Sequence, residues 1–276
     1  MNLLRSTILS ILMIAFLIGC ESSTSASSDS SSSVASSSSS VVKSSSSSAK
    51  SSSSNAISSS SSSSIVYSTI KDARDNQTYR IITIGSQTWM AENLKYLPSV
   101  VGPGTGSKTT PHYYVYGYNG TNVTDAKATA NYNTYGVLYN WPAAMNGAAS
   151  STTNPSGVQG VCPDGWHLPS DAEWTELTDY LGGESVAGGK LKETGTTHWA
   201  SPNAGATNET GFTALPGGFR HYDGDFYGIG NYGNWWSSTE NNTLYAYNRL
   251  LYYNYYGLNN FDNSKMIGFS VRCVRD

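Results

Sequence analysis

Hydrophobic and polar positions alternate in short runs along the last three quarters of the chain, and the first of these runs predicts a hairpin. Asp75 and Asn76 stand between β-branched and aromatic residues, in predicted strands near Ile70 and over residues 79–84. Such a pair between two strand-like runs is typical of a two-residue turn. Similar runs punctuated by glycine predict short antiparallel strands within residues 211–220, 223–238, 244–253 and 268–276.

The pattern changes to the period of a helix near residues 170–181. Ser170 and Glu173 have the spacing of a capping box, and Gly182 supplies a stop signal at the other end. The apolar residues between them fall on one helix face: Trp174, Leu177 and Leu181. Residues 186–193 are poorly periodic, and residues 98–134 predict long, ligand-facing loops. We predict an α+β fold with short antiparallel strands, one well-defined helix and long loops.

The N-terminal residues predict export and lipid attachment. Residues 1–19 combine Arg5 with an apolar stretch too short to span a membrane, and residues 17–20, LIGC, resemble the signal of bacterial lipoproteins, with Cys20 as the lipidated residue. The alternatives are an ordinary secretory peptide with a chance cysteine and an uncleaved anchor. We expect a lipoprotein tethered to the lipid bilayer outside the cytoplasm, at the outer membrane or cell surface.

A serine-rich segment follows, in which 30 of the 43 residues from position 22 to position 64 are serine. Such a composition cannot bury enough apolar surface to offset its chain entropy, so residues 20–64 are expected to form a disordered tether. Residues 65–276 are long enough for one folded domain. The whole chain has a formal net charge of -3 and no basic block, which makes nucleic acid a poor partner.

Two cysteines remain once Cys20 is assigned to lipid. Cys162 and Cys273 form an even pair in an oxidising compartment and are expected to make one disulfide bond, with two free thiols as the alternative.

Several runs resemble the Fibrobacter succinogenes major paralogous domain, a repeated family of exported bacterial proteins. They are residues 84–94 (IGSQTWMAENL), 160–183 (GVCPDGWHLPSDAEWTELTDYLGG), 211–220, 233–240 and 268–276. That family in turn resembles the C-type lectin-like fold. The resemblance implies a domain whose N- and C-terminal strands pair, with long loops forming a binding face. It also implies that the cysteine pair ties the region before the helix to the last strand.

Catalytic and metal-binding patterns are weak. Residues 167–174, HLPSDAEW, are similar to a run in the formylglycine-generating enzymes, which use a reactive cysteine pair, but here both cysteines fit a structural bond. The four histidines have no metal-ligand spacing: His112, His167, His198 and His221. Asp223 and Asp225 fit a hairpin turn better than a calcium site. We expect no cofactor and no metal; a carboxylate-based glycoside hydrolase stays as a weaker alternative.

Tyrosine and asparagine make up 13 of the 23 residues from position 241 to position 263. Tyrosine gives rigid contact area and asparagine gives adaptable hydrogen bonds, as in antibody binding loops, although a β domain that binds nothing would use both residues in strands and turns. Alternation along residues 244–253 places Tyr245, Tyr247 and Arg249 on the outer face. The next candidates are expected on a loop: Tyr255, Tyr256, Asn259 and Asn260.

Trp235 and Trp236 are adjacent on a predicted strand and must point to opposite faces, so we expect one in the core and treat the other as a binding candidate. The sequence favours a membrane-anchored binding module that recognises polysaccharide or another surface ligand. A protein–protein adhesion module is the first alternative.

Overall fold

The computed structural model describes residues 64–276, which belong to one compact unit. The predicted signal peptide, Cys20 and nearly all of the serine-rich tether lie outside the described residues. Among residues 64–276, no helix has both the length and the apolar character needed to cross a membrane.

The described residues form short strands and helices, in agreement with the predicted α+β class. The helices are α1 (Val123–Lys127), α2 (Ala130–Tyr135), α3 (Trp141–Met145), α4 (Asp171–Tyr180) and α5 (Glu184–Leu191). The strands are β1 (Ser68–Lys71), β2 (Thr78–Ile84), β3 (Gln87–Met90), β4 (Tyr113–Tyr114), β5 (Leu138–Tyr139), β6 (Trp166–His167), β7 (Gly217–Arg220), β8 (Phe226–Ile229), β9 (Tyr232–Glu240), β10 (Tyr245–Tyr252), β11 (Asn259–Ser264) and β12 (Val274–Arg275).

The chain ends meet in an antiparallel sheet of order β1-β2-β3-β12-β6, in which Val274 lies opposite Trp89. The predicted first hairpin is confirmed, but its connection spans residues 72–77 instead of two residues. The connection is longer because it folds around the buried carboxylate of Asp72. This carboxylate accepts hydrogen bonds from the backbone N–H and the guanidinium of Arg74.

Helix α4 begins as the sequence predicts. The Ser170 hydroxyl accepts the backbone N–H of Glu173, and the Glu173 carboxylate accepts the backbone N–H of Ser170. Each of these bonds satisfies a donor that the helix cannot pair internally, a device that typically stabilises a helix by about 1 kcal/mol. The helix buries Trp174 and Leu177 against the sheet of order β11-β10-β9.

That three-stranded sheet lies between two hydrophobic clusters. Trp235 belongs to the cluster under α4, whereas Trp236 belongs to a second cluster that includes Phe269. Cys162 and Cys273 form the expected disulfide bond and pack in the second cluster. The sheet and its two cores determine which side chains can reach solvent.

Two regions contain more regular structure than the sequence indicates. Residues 98–134 hold β4 and the short helices α1 and α2, and residues 184–191 form α5. Side-chain caps explain the first two helices, since Asn122 and Thr129 accept backbone N–H groups at their N-termini. Helix α5 has no side-chain cap and is held by packing.

Candidate ligand-recognition surface

Strand β10 presents its two faces differently along its length. Tyr245 is 40% exposed and Tyr247 is half-buried, which agrees with the outer face expected from the alternation. Tyr247 lies opposite the exposed Asp262 on β11. Both tyrosines therefore reach solvent at the start of β10, and their role in binding stays a prediction.

The expectation that Arg249 shares this outer face is wrong. Its side chain is buried because α4 covers the second half of the strand: the guanidinium forms an ion pair with Asp171 and donates to Thr175 Oγ1 at 3.1 Å. Leu251 packs in the cluster below the same helix. Arg249 fixes α4 to the sheet and is not available to a ligand.

Trp235 and Trp236 do point to opposite faces, but both are buried, so neither is an exposed binding residue. The reason is that a hydrophobic cluster covers each face of β9. The two indole N–H groups are satisfied inside the protein, by Asn93 Oδ1 at 2.9 Å and by the carbonyl oxygen of Tyr139 at 2.7 Å.

The residues expected on one loop are divided between a loop and a strand. Asn259 and Asn260 begin β11 and are half-buried, so their placement on a loop is wrong. Asn260 Nδ2 lies 3.4 Å from Asp171 Oδ2, which draws it toward α4. Tyr255 and Tyr256 do lie on the connection after β10, and they are 43% and 57% exposed. We call residues 253–258 the tyrosine loop.

A row of aromatic rings crosses four strands beside this loop. Tyr227 on β8 lies 6.0 Å from Phe219 on β7, which lies 6.2 Å from Tyr232 on β9, measured between ring centroids. Tyr232 lies 5.2 Å from Tyr252, the last residue of β10. Tyr227 is 43% exposed and the other three rings are half-buried. These four residues form what we call the aromatic row.

Sequence reasoning missed the aromatic row, although one local signal was present. The predicted turn at Asp223 and Gly224 is confirmed between β7 and β8, and the resulting register places Phe219 opposite Tyr227. The Tyr227 hydroxyl donates to Asp223 Oδ2 at 3.0 Å, which raises the pKa of Tyr227. The hairpin therefore holds the first ring of the row in a fixed orientation.

Close glycine contacts build the tyrosine loop into the domain. A methyl group on Gly188 would overlap the carbonyl oxygen of Gly257, and one on Gly189 would overlap that of Gly205. A methyl group on Gly205 would overlap the ring of Tyr256. Helix α5 and the loop thus approach each other more closely than larger residues allow.

A buried cation completes this packing. Lys192 directly follows α5 and is fully buried, and its Nζ donates to three carbonyl oxygens: Ala204 at 2.8 Å, Tyr255 at 2.9 Å and Tyr252 at 3.1 Å. Burial lowers the pKa of Lys192 to about 8. One ammonium group therefore joins the last residue of the aromatic row to the tyrosine loop.

Exposed charge near the aromatic row is acidic. Arg220 follows Phe219 on β7 but is buried, and its guanidinium donates to backbone carbonyl groups. Asp223 and Asp225 are solvent-accessible at the turn of the hairpin, and the backbone N–H of Asp225 lowers the pKa of Asp223. Lys192 and Arg220 are thus turned inward, away from solvent.

His167 and Glu173 are occupied by structural partners. His167 lies between Glu173 Oε1 at 2.6 Å and Asp276 Oδ1 at 2.7 Å. Glu173 also accepts the backbone N–H of Ser156 at 3.0 Å, so its carboxylate is occupied. Among residues 64–276, no group of three or more His, Cys, Asp or Glu side chains has the arrangement of a metal site.

Comparison with known proteins gives a family without a chemical activity attached to it. Neither a search of curated proteins nor a search of solved structures returned a match. A family model, by contrast, matches residues 82–275, a span that includes α4, the aromatic row and both cysteines of the disulfide. The chain belongs to the Fibrobacter succinogenes major domain family.

Proposed function

We propose that the protein is a lipid-anchored, extracytoplasmic recognition module that binds polysaccharide through the aromatic row. In this proposal Cys20 carries the lipid, the serine-rich segment is the tether, and residues 65–276 form a C-type lectin-like domain. The pairing of β12 with the N-terminal hairpin supports the C-type lectin-like fold, because in that fold the N- and C-terminal strands of the domain pair in one sheet.

The observation that carries the proposal is the spacing of the four rings. Rings whose centroids are 5.2 to 6.2 Å apart form a continuous apolar strip that runs from the β7-β8 sheet onto β9 and β10 of the three-stranded sheet. Sugar rings have apolar faces that pack on aromatic rings, and their hydroxyl groups bond to nearby amides and hydroxyls. Tyrosine supplies both kinds of contact with little loss of side-chain entropy.

A protein–protein adhesion module is the second candidate, favoured by a different surface. Leu244, Tyr245 and Phe261 are 45%, 40% and 44% exposed at the other end of β10 and on β11. Exposed apolar side chains favour a protein contact, and these three lie along one edge of the sheet, with Tyr245 and Phe261 on its opposite faces because they stand opposite Ser264 and Asn248. This surface is separate from the aromatic row, because Tyr245 and Tyr252 stand at opposite ends of an eight-residue strand, roughly 23 Å apart at the usual rise.

The test measures binding of the soluble fragment 65–276, which contains both hydrophobic clusters and the disulfide. The probes are mixed-linkage β-glucan, xylan and galactomannan. A Tyr227→Ala/Tyr252→Ala variant removes both ends of the aromatic row, and a Tyr245→Ala/Tyr247→Ala variant is the matched control on the other half of β10. Near-ultraviolet circular dichroism verifies that each variant is folded.

We expect binding of at least one polymer that the row variant loses and the control keeps. If only the control variant lost binding, the binding site would lie at Tyr245 and Tyr247, the residues that the sequence favoured. No binding by the folded wild-type fragment contradicts polysaccharide recognition.

A further inference from the structure

The binding surface continues from the aromatic row into the tyrosine loop. Tyr252 is the last ring of the row, and the loop starts at the next residue. The carbonyl oxygens of Tyr252 and Tyr255 both lie within 3.1 Å of Lys192 Nζ, so the end of the row and the middle of the loop are held by one group. A ligand long enough to extend beyond Tyr252 would therefore contact the tyrosine loop.

The tyrosine loop is rigidly supported although its two tyrosines face solvent. Gly188 and Gly189 admit the neighbouring backbone at distances that a side chain would block, and the backbone N–H of Gly189 donates to the carbonyl oxygen of Tyr256 at 2.7 Å. An exposed aromatic pair on a fixed backbone loses little entropy when a ligand binds. The fixed backbone of the tyrosine loop is therefore suited to binding, because it keeps the two exposed tyrosines at one place on the surface.

The charge distribution narrows the chemistry of this ligand. Lys192 and Arg220, the cations next to the row and the loop, are buried and bonded to carbonyl groups. Asp223 and Asp225 lie at the far end of the row and are accessible. The partly exposed basic residues nearby, His221 beside the row and Lys190 on α5, are paired with Asp223 and Glu209. An acidic polymer would therefore meet carboxylates without an unpaired cation from this set, so the surface fits an uncharged polymer.

Resting on the proposed function, we propose that the ligand is a neutral, extended polysaccharide chain that contacts the aromatic row and the tyrosine loop together. Recognition then requires several consecutive sugar units. The end of a chain or a disaccharide would occupy the row alone and bind weakly.

The experiment compares chain lengths of one polymer at a time. Titration calorimetry measures Kd of fragment 65–276 for di-, tetra- and octasaccharides of β-glucan, xylan and mannan, with polygalacturonate as the acidic probe. The same titrations are made with a Tyr255→Ala/Tyr256→Ala variant, and with Tyr256→Ala alone if the double variant does not fold. Tyr180→Ala is the control, since Tyr180 is 65% exposed on α4 and belongs to neither surface.

We expect the octasaccharide to bind at least about tenfold more tightly than the disaccharide, and the loop variant to lose this gain while its disaccharide Kd is unchanged. Equal Kd values at all lengths, or a loop variant that binds the octasaccharide like the wild type, would overturn the extended site and leave polysaccharide recognition intact. Preference for polygalacturonate would overturn the neutral ligand. No binding of any oligomer or polymer would remove the proposed function itself.

Discussion

Replacing Lys192 by methionine tests how the tyrosine loop is held. Methionine has a similar length and no donor, so Lys192→Met leaves three partly buried carbonyl oxygens without the ammonium that now bonds to them. A buried acceptor left unpaired costs about 1–3 kcal/mol. In the wild type, burial of the charged ammonium is unfavourable and lowers the pKa of Lys192 to about 8. The methionine variant does not bury this charge, which offsets part of the loss in stability.

We therefore expect the free energy of unfolding to fall by about 2–3 kcal/mol. This is less than three fully unpaired acceptors would cost, because the loop can open and let water bond to the carbonyl groups. Urea unfolding measures this change, and hydrogen exchange measures the protection of residues 253–258. Lys190→Met is the control: Lys190 lies on α5, is 36% exposed, and pairs with Glu209 at 3.3 Å. Such a surface pair contributes about 0.5 kcal/mol or less. If the two variants had the same stability and the same loop protection, the reasoning about Lys192 would be refuted.

Three further predictions concern stability. Burial lowers the pKa of His167, but the Glu173 and Asp276 carboxylates outweigh it, so the pKa is raised above its usual value of 6.5; this stabilisation is complete below pH 6.5 and lost as pH rises through the higher folded-state pKa. Urea unfolding at pH 6 and pH 9 should show that His167→Gln destabilises the protein more at pH 6 than at pH 9, a comparison in which the opposite contribution of Lys192 cancels; an equal effect of the substitution at both pH values would contradict it. Replacing Cys162 and Cys273 by serine should lower the free energy of unfolding by about 4–5 kcal/mol in the chain-entropy view, given their sequence separation of 111; a loss below about 1 kcal/mol would count against that role. Gly205→Ala should destabilise by more than about 1 kcal/mol, since φ is +68° and the added methyl group overlaps a tyrosine ring, and an unchanged thermal midpoint would disprove this.

Features of the fold that depend on neighbouring residues, such as helix caps and tight turns, were predicted from the sequence. The capping box at Ser170 and Glu173 located α4, and the Asp223–Gly224 pair located the hairpin between β7 and β8. Helix α5 was missed because Gly188 and Gly189 have low helix propensity. Glycine is required at these two positions because the tyrosine loop packs closely against them, and this tertiary contact is not visible in the local sequence.

The binding candidates were harder to predict for a related reason. Alternation identified two faces of β10 correctly at Tyr245 and Tyr247, but it could not indicate that α4 covers Arg249. The aromatic row joins residues 219, 227, 232 and 252 on four consecutive strands, and only the pairing of those strands brings the rings together, so alternation within one strand does not reveal the row. Local composition identified the stretch rich in tyrosine and asparagine, and only tertiary packing separates its exposed side chains from its buried ones.

If the aromatic row and the tyrosine loop form the ligand surface, a bound oligosaccharide perturbs their backbone amide resonances, and nuclear magnetic resonance maps these changes residue by residue. Backbone amide shifts of ¹⁵N-labelled fragment 65–276 are followed during titration with the β-glucan, xylan and mannan octasaccharides. We expect perturbations at residues 219, 227, 232 and 252–256 and little change near Tyr245. Perturbations centred on Tyr245 and Tyr247, or none with any of the three oligomers, would contradict the account.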